Sequence, residues 1–423
     1  MIKVLILNTT NFANRGSMGR IEGLICCLEQ TIPHVQITIL HRYYNKDKDA
    51  LLDHLVEKHP ELEVKAHPWF REASSSILTA VSSLIRFCLS ATWHNILRML
   101  GLPIKDEFQQ CDIIIDLNLI EPAEGVYFTM TVGAFFALLN TWYATMTGKP
   151  VMVCSATIGP YKGRFLRSFA SYVLNKVDII TLREEFSQNY LQVLGVNKPS
   201  VYLSADLAFL LEPDSDETIS TILESINITP MNKPLIGIAP TAMMHPSLKR
   251  QQYIQLMAEL SNFLIEDLDS TIVYITNTYQ DKTITQSIYQ EVKHKHKVRL
   301  LPAILSASEI KGIIGKCDIF ICSRFHALVA STSLAVPSLG IVSYSKNKFH
   351  GVIGEMMGQK NYLLDIDDKF DYDCFFAELK LKVNDLWNNR DLVVKDLQER
   401  EKIVKEQVLL NGNLIKELVE YSL

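Results

Sequence analysis

Short apolar runs recur along this chain, and a helix-forming stretch follows nearly every one. In the first half they span 2–8 (IKVLILN), 35–40 (VQITIL), 62–67 (LEVKAH), 112–117 (DIIIDL), 150–156 (PVMVCSA), 178–182 (DIITL) and 200–204 (SVYLS). Strands that alternate with helices predict βαβ units and a parallel sheet. The pattern halts at EPDSDETISTILESINITPMNKP (212–234), which is polar and rich in turn residues. It resumes at 235–240 (LIGIAP), 270–276 (STIVYIT), 298–301 (VRLL), 318–323 (DIFICS) and 338–343 (SLGIVS). A chain of 423 residues exceeds what one hydrophobic core usually supports. The fold class predicted is therefore α/β, with two Rossmann-like domains at 1–212 and 234–370 and a linker at 213–233. A charged helical segment at 371–423 has apolar spacing suited to clamping one domain against the other. Two doubly wound sheets face a cleft at the carboxyl ends of their strands, where helix N-termini converge on ligands. The informative residues are those that directly follow strands.

Composition narrows the function. A formal net charge of −5 argues against broad nucleic-acid binding, whose footprint is basic. The eight cysteines are scattered and form no CxxC pair, which predicts buried free thiols in a reducing compartment rather than disulfides or zinc. The opening MIKVLILN is a strand pattern without a charged n-region, so no secretory signal is expected and the chain is read as cytoplasmic. Residues 125–148 carry no charge and are long enough to span a bilayer. Their Thr, Asn and Tyr content and their place between two strands predict a buried crossover helix instead. Residues 74–100, interrupted by Arg86, His94 and Arg98, suit either a packed helix or one lying on a membrane surface. The KHKHK run (293–297) alternates along the chain and reads as a solvated charged face rather than a metal site.

Strand ends supply the candidate site. In DIFICSRFHALVASTSLAVPSLGI, Ser323 suits an N-cap, which puts Arg324 and His326 in the first turn of a small-residue helix. A guanidinium and an imidazole at that positive helix end suit a phosphate or carboxylate. The same pattern fits an Arg324 paired with an acid across the domain interface and a His326 satisfied within the core. SATIGPYKGR (155–164) adds Thr157 and Gly159, where the backbone can approach a ligand. Arg183 follows DIITL directly, and KNKFHG (346–351) brings Lys346, Lys348 and His350 to the same cleft face. Arg183, Arg324, His326 and Lys348 thus follow strands of both domains, which predicts a small polyanionic ligand.

IITLREEFSQNYLQVLGV, LSADLAFLL, SRFHALVASTSLAVPSLGI and YSKNKFHGVIGEMMGQ occur here in the motif order of the polysaccharide pyruvyl transferase family. The chain resembles that family from about Ile2 to Leu364, most specifically in the Ser-Arg-x-His segment. The resemblance implies a GT-B-like fold and transfer of the enolpyruvyl unit of phosphoenolpyruvate onto a sugar, closed into a cyclic ketal. It matches Arg324 and His326 to the donor-site arginine and histidine, Arg183 to the arginine before the acidic helix, and Lys348 to the lysine after the next strand. Ser17, Asp116-Leu-Asn118 and Ser155-Ala-Thr depart from the family pattern on the acceptor side.

Arg324 and His326 are accordingly the expected catalytic pair, with Arg183, Lys348, Thr157 and Gly159 binding substrate. Glu184, Asp116 and Asp206 are candidate bases for the acceptor hydroxyl, and no metal or cofactor is called for. The expected partners are phosphoenolpyruvate and a sugar or lipid-linked glycan; peripheral contact at the inner membrane face through 74–100 is the alternative to a packed helix there. Two other readings share the architecture: a nucleotide-sugar glycosyltransferase, and a non-catalytic relative that binds an anion or glycan.

Overall fold

In the computed structural model, which describes residues 1–9, 14–41, 50–69, 77–99, 106–117, 127–228, 233–302 and 305–421, every apolar run named above contains a strand. The first half gives β1 (Ile2–Leu7), β2 (Val35–His41), β3 (Leu62–Ala66), β4 (Ile113–Asp116), β5 (Val151–Ala156), β6 (Ile179–Leu182) and β7 (Ser200–Leu203). They form one parallel sheet in the order β3-β2-β1-β4-β5-β6-β7. The second half gives β8 (Leu235–Ala239), β9 (Thr271–Tyr274), β10 (Val298–Leu300), β11 (Ile319–Cys322), β12 (Ser338–Val342) and β13 (Leu363–Asp365). Their order is β10-β9-β8-β11-β12-β13, again parallel. The three-residue edge strand β13 was not foreshadowed by any apolar run of strand length. Each order reverses at its first strand, between β1 and β4 and between β8 and β11. These switch points are where doubly wound sheets open a ligand crevice.

The helices of the first half are α1 (Arg15–Thr31), α2 (Ala50–Lys58), α3 (Ile77–Met99), α4 (Glu107–Gln110), α5 (Tyr127–Thr145), α6 (Arg164–Leu174) and α7 (Glu185–Leu194). The polar interval holds α8 (Asp216–Ser225), started by Ser215, whose hydroxyl accepts the Thr218 N–H at 3.1 Å. The second half adds α9 (Arg250–Leu268), α10 (Tyr279–Glu291), α11 (Ala307–Ile314), α12 (Phe325–Thr332) and α13 (Lys346–Lys348), then α14 (Tyr372–Asn388) and α15 (Arg390–Glu420).

Strand alternation splits the core of the first sheet. Leu5 and Leu7 join one layer with Trp69, Phe87, Leu138 and Val173, while Val4 and Ile6 join the other with Ile21 and Leu24. The uncharged stretch 125–148 contains α5, packed in the first of these layers. Its polar residues have partners there: Asn140 Nδ2 donates to Asn8 Oδ1 at 3.1 Å, and the Thr141 hydroxyl donates to the Asp116 carboxylate. Among the described residues no helix is long and apolar enough to cross a membrane. Segment 74–100 contains α3, whose side chains at His94 and Arg98 lie outside the described residues, as does Asn118.

The C-terminal pair ties the two halves together. The Tyr372 hydroxyl of α14 donates to Glu259 Oε2 on α9 at 2.9 Å. Helix α15 returns to the first sheet, where Asn411 Oδ1 accepts the Thr181 hydroxyl at 2.6 Å and its Nδ2 donates to Ser204 Oγ at 2.8 Å. Val404, Val408, Ile415 and Val419 bury the apolar stripe that the spacing predicts. From the second half, buried Lys311 donates to the Leu211 carbonyl at 2.5 Å. These links hold the two halves against each other.

Candidate active site

Arg183 leaves β6 into a buried cluster. Its Nε donates to Thr157 Oγ1 at 2.7 Å, and its Nη1 donates to the Asp206 carboxylate. Asp206 follows β7 and starts a 3-10 turn by accepting the Ala208 N–H at 3.0 Å. Arg20 enters from α1, with Nη2 donating to the Ser155 carbonyl at 3.1 Å. From the second domain, His326 on α12 brings Nε2 to 3.8 Å from Asp206 Oδ2. The Phe325 ring lies against Arg183 Cζ at 5.0 Å and Lys348 Nζ at 5.4 Å, both measured to its centroid. Arg183, His326 and Lys348 therefore converge as the sequence suggests, joined by Arg20, which sequence reasoning passed over. The missed signal was spacing: Arg20 lies four residues after Gly16 on the first turns of α1, hence on the same face. Gly16 is what lets that helix end approach, since a Cβ there would sit 2.3 Å from His326 Nδ1.

Arg324 turns elsewhere. Ser323 does not cap α12, because its hydroxyl accepts the Tyr253 O–H at 3.0 Å. Arg324 takes the cap position instead, and its guanidinium points into its own domain. There it donates to the buried Asp281 carboxylate on α10 and to Thr278 Oγ1 at 3.3 Å. Burial opposes the charge, but Tyr344 and Asp281 outweigh it and raise the Arg324 pKa above the usual arginine value. The acid partner is thus present, within one domain rather than across the interface.

Other expectations also shift. Lys346 and His350 do not join Lys348 at the cleft; both pair with Asp365, at 3.6 Å and 2.9 Å. Gly159, at φ 74°, serves packing rather than ligand approach, because a Cβ there would lie 2.0 Å from the Tyr190 ring. The neighbouring amides are spent on α7: Ile158 N–H donates to Ser187 Oγ and Tyr161 N–H to Tyr190 Oη, both at 2.7 Å. Thr157 meets Arg183 directly. Of the candidate bases, Glu184 is the N-cap of α7, accepting the Ser187 N–H at 2.8 Å. Burial raises its pKa against that hydrogen bonding. Asp116 is engaged by Thr141. Burial would raise Asp206, but Arg183, His326 and Arg20 prevail and hold it below the usual carboxylate range. The KHKHK run sits on the surface, with His294 against Glu266 at 2.8 Å and Lys297 against Asp269 at 2.5 Å.

Cations and carboxylates share this cluster, with Asp206 and Asp116 acting on Arg20 and Arg183 acting on Glu184. Burial, then repulsion from Arg183, lowers Arg20 to about 10. Burial also pushes His326 down to about 3; Asp206 pulls the other way, and Arg183, Arg20 and Lys348 reinforce the fall. Its imidazole is therefore neutral at pH 7. Arg20 Nε and His326 Nε2 are buried and make no hydrogen bond within the described protein. Beside His326 lies a narrow interdomain cleft lined by Arg15, Gly16, Asn277, Ala307, His326 and Ala330.

The His326 shift has a stability consequence. The unfolded chain binds a proton at about pH 6.5, whereas the folded site resists it until about pH 3. The unfolded state therefore holds more protons across that window, and stability falls as pH drops through it. Melting temperatures taken from pH 7 to pH 4 are expected to decline, and His326→Gln to flatten the slope. Identical slopes would remove His326 as the cause.

A curated relative, amylovoran biosynthesis protein AmsJ of Erwinia amylovora, is 21% identical over 433 residues and covers 98% of both chains. Solved structures share the architecture. UDP-GlcNAc 2-epimerase from Methanocaldococcus jannaschii aligns with a TM-score of 0.57 at 10% identity, over 92% of this chain and 93% of that one. Medicago truncatula UGT71G1, complexed with UDP-glucose, aligns with a TM-score of 0.59 at 10% identity, over 99% and 98%. At such identity these neighbours establish the GT-B-like fold and nothing about ligands. Sequence carries the rest: residues 80–345 match the family model for polysaccharide pyruvyl transferase, and with more than half of its length inside that match, the chain belongs to the polysaccharide pyruvyl transferase family.

Proposed function

We propose that this chain moves the pyruvyl group of phosphoenolpyruvate onto a sugar of a polysaccharide or glycan precursor and closes it into a cyclic ketal. Family membership supports pyruvyl transfer in polysaccharide biosynthesis. The observation that carries the donor is the gathering of cations at His326: buried Arg20 and Arg183 and half-buried Lys348 surround a neutral imidazole whose buried Nε2 makes no hydrogen bond within the described protein. Arg20 and Arg183 repel each other at this spacing, which favours an anion between them. Phosphoenolpyruvate carries a carboxylate and a phosphate on a three-carbon frame and suits several fixed cations.

The chemistry follows. A proton goes to the methylene carbon, one sugar hydroxyl adds to the adjacent carbon, and phosphate leaves with its bridging oxygen. A second hydroxyl of the same sugar then adds to that carbon and closes the ketal. Of the two hydroxyl protons released, one balances the proton now in the methyl group and the other departs with phosphate. Arg183, Arg20 and Lys348 stabilise the leaving charge. A neutral His326 accepts a hydroxyl proton. Burial is the chief cause of its low pKa; phosphate bound beside Arg183, Arg20 and Lys348 offsets the share those cations contribute and raises the pKa, and the same imidazole returns the proton.

Two measurements test this reading. Phosphate release from phosphoenolpyruvate is expected to require a glycan acceptor, with a ketal methyl signal appearing in the product by NMR. Calorimetry in buffers of different ionisation enthalpy is expected to show proton uptake on donor binding at pH 7, absent in His326→Gln. Thermal stabilisation by UDP but not by phosphoenolpyruvate would overturn the donor assignment.

A further inference from the structure

Helix α3 turns an apolar face to solvent. Phe87 packs inward, with its ring 5.5 Å from Trp69 and 6.2 Å from Trp142 of α5. On the outward side lie Leu84, Ile85, Leu89, Trp93, Ile96 and Met99. Ile85 is 54% exposed, Leu89 67%, Trp93 59% and Met99 80%, so these are not edge contacts of the core. At about 100° per residue they cover roughly half the helix circumference, centred opposite Phe87. A monomer seldom leaves so continuous an apolar strip in water.

Charge identifies what covers it. No Asp or Glu occurs from Ala73 to Lys105 or from Gly125 to Val177, although the chain as a whole carries a net charge of −5. Helices α3, α5 and α6, which share one side of the first sheet, are therefore free of acid. Exposed Arg86 borders the α3 strip. Beyond α5, exposed Lys162, Arg164 and Arg167 flank Phe165, which is 73% exposed and stacks on Phe169 at 6.2 Å. Apolar side chains with an interfacial tryptophan and a cationic border match the headgroup–acyl boundary of an anionic bilayer. A symmetric pair of chains through this face would oppose like cations across a two-fold axis, which disfavours self-association.

We propose that the outward face of α3, with the Lys162–Arg167 corner of α6, docks the protein on the surface of an anionic lipid bilayer. The full chain is expected to float with vesicles of phosphatidylcholine and phosphatidylglycerol, to ignore phosphatidylcholine alone, and to release as salt rises. Leu89→Glu with Trp93→Glu is expected to weaken that partition about a hundredfold at an unchanged melting temperature, since both side chains are exposed and each desolvated apolar group is worth about tenfold or more. Arg86→Glu alone is expected to weaken it less and to blunt the salt response. Failure of the full chain to float, or equal binding to both vesicle types, would overturn the proposal. So would a dimer by light scattering that the double variant converts to monomer without any vesicle binding, which would assign the face to a second copy of the chain.

Discussion

His326→Gln is expected to lower turnover with phosphoenolpyruvate about 10²–10⁴-fold, the usual worth of a positioned acid or base, while donor affinity stays near that of the natural chain. Glutamine retains a donor and an acceptor of similar reach but cannot carry a proton. The geometry that motivates this is narrow: Nε2 is buried, makes no hydrogen bond within the described protein and stands 3.8 Å from Asp206. Gly16 confines the opposite edge of the ring, so the imidazole cannot swing away without moving α1. Steady-state kinetics separate the roles. A fall in kcat with unchanged KM marks proton transfer, whereas a rise in KM with unchanged kcat makes His326 a ligand for the phosphate. Turnover equal to that of the natural chain at saturating donor would remove it from the chemistry.

The strand scaffold was legible because both sheets are parallel and buried, so each strand appears as an uninterrupted apolar run such as DIIID or DIFIC. The edge strand β13 escaped because Leu363–Asp365 offers only three residues, pinned by pairing to β12 rather than by its own pattern. Within the site, placement just after a strand located Arg183, His326 and Lys348 correctly near one another, since strand ends of both domains meet at the crevice. What sequence could not give is the direction of a side chain. Arg324 and His326 are two positions apart at the start of one helix, about 200° around its axis, and so serve opposite sides. Lys346 and His350 were drawn off by Asp365, a residue at the end of the strand that had no visible pattern. Asp206 was legible as an acid after a strand, whereas Arg20 joins the cluster because α1 lays it against the Ser155 carbonyl at the end of β5.

The divergence of Arg324 from His326 sets the second large effect. Arg324→Ala is expected to destabilise the fold by about 3–5 kcal/mol, the usual cost of leaving one member of a buried ion pair alone. Asp281 is fully buried and gathers the Arg324 guanidinium, the Ala242 N–H at 2.9 Å and the Thr278 N–H and hydroxyl at 3.0 Å and 2.8 Å. It thereby ties the loop after β8 and the start of α10 to the cap of α12, the helix that presents His326. Losing Arg324 loosens that junction, so activity falls indirectly as stability does. Arg324→Lys restores charge without the planar fork and is expected to recover only part of the loss. Denaturant unfolding of Arg324→Ala, Asp281→Asn and the double variant decides the matter. For a structural pair, the double variant loses markedly less than the sum of the two singles. If Arg324 instead leaves Asp281 to hold the donor, Arg324→Ala unfolds like the natural chain and only its affinity for phosphoenolpyruvate collapses. That outcome would return Arg324 to the anion site and show that the Asp281 pair opens when ligand arrives.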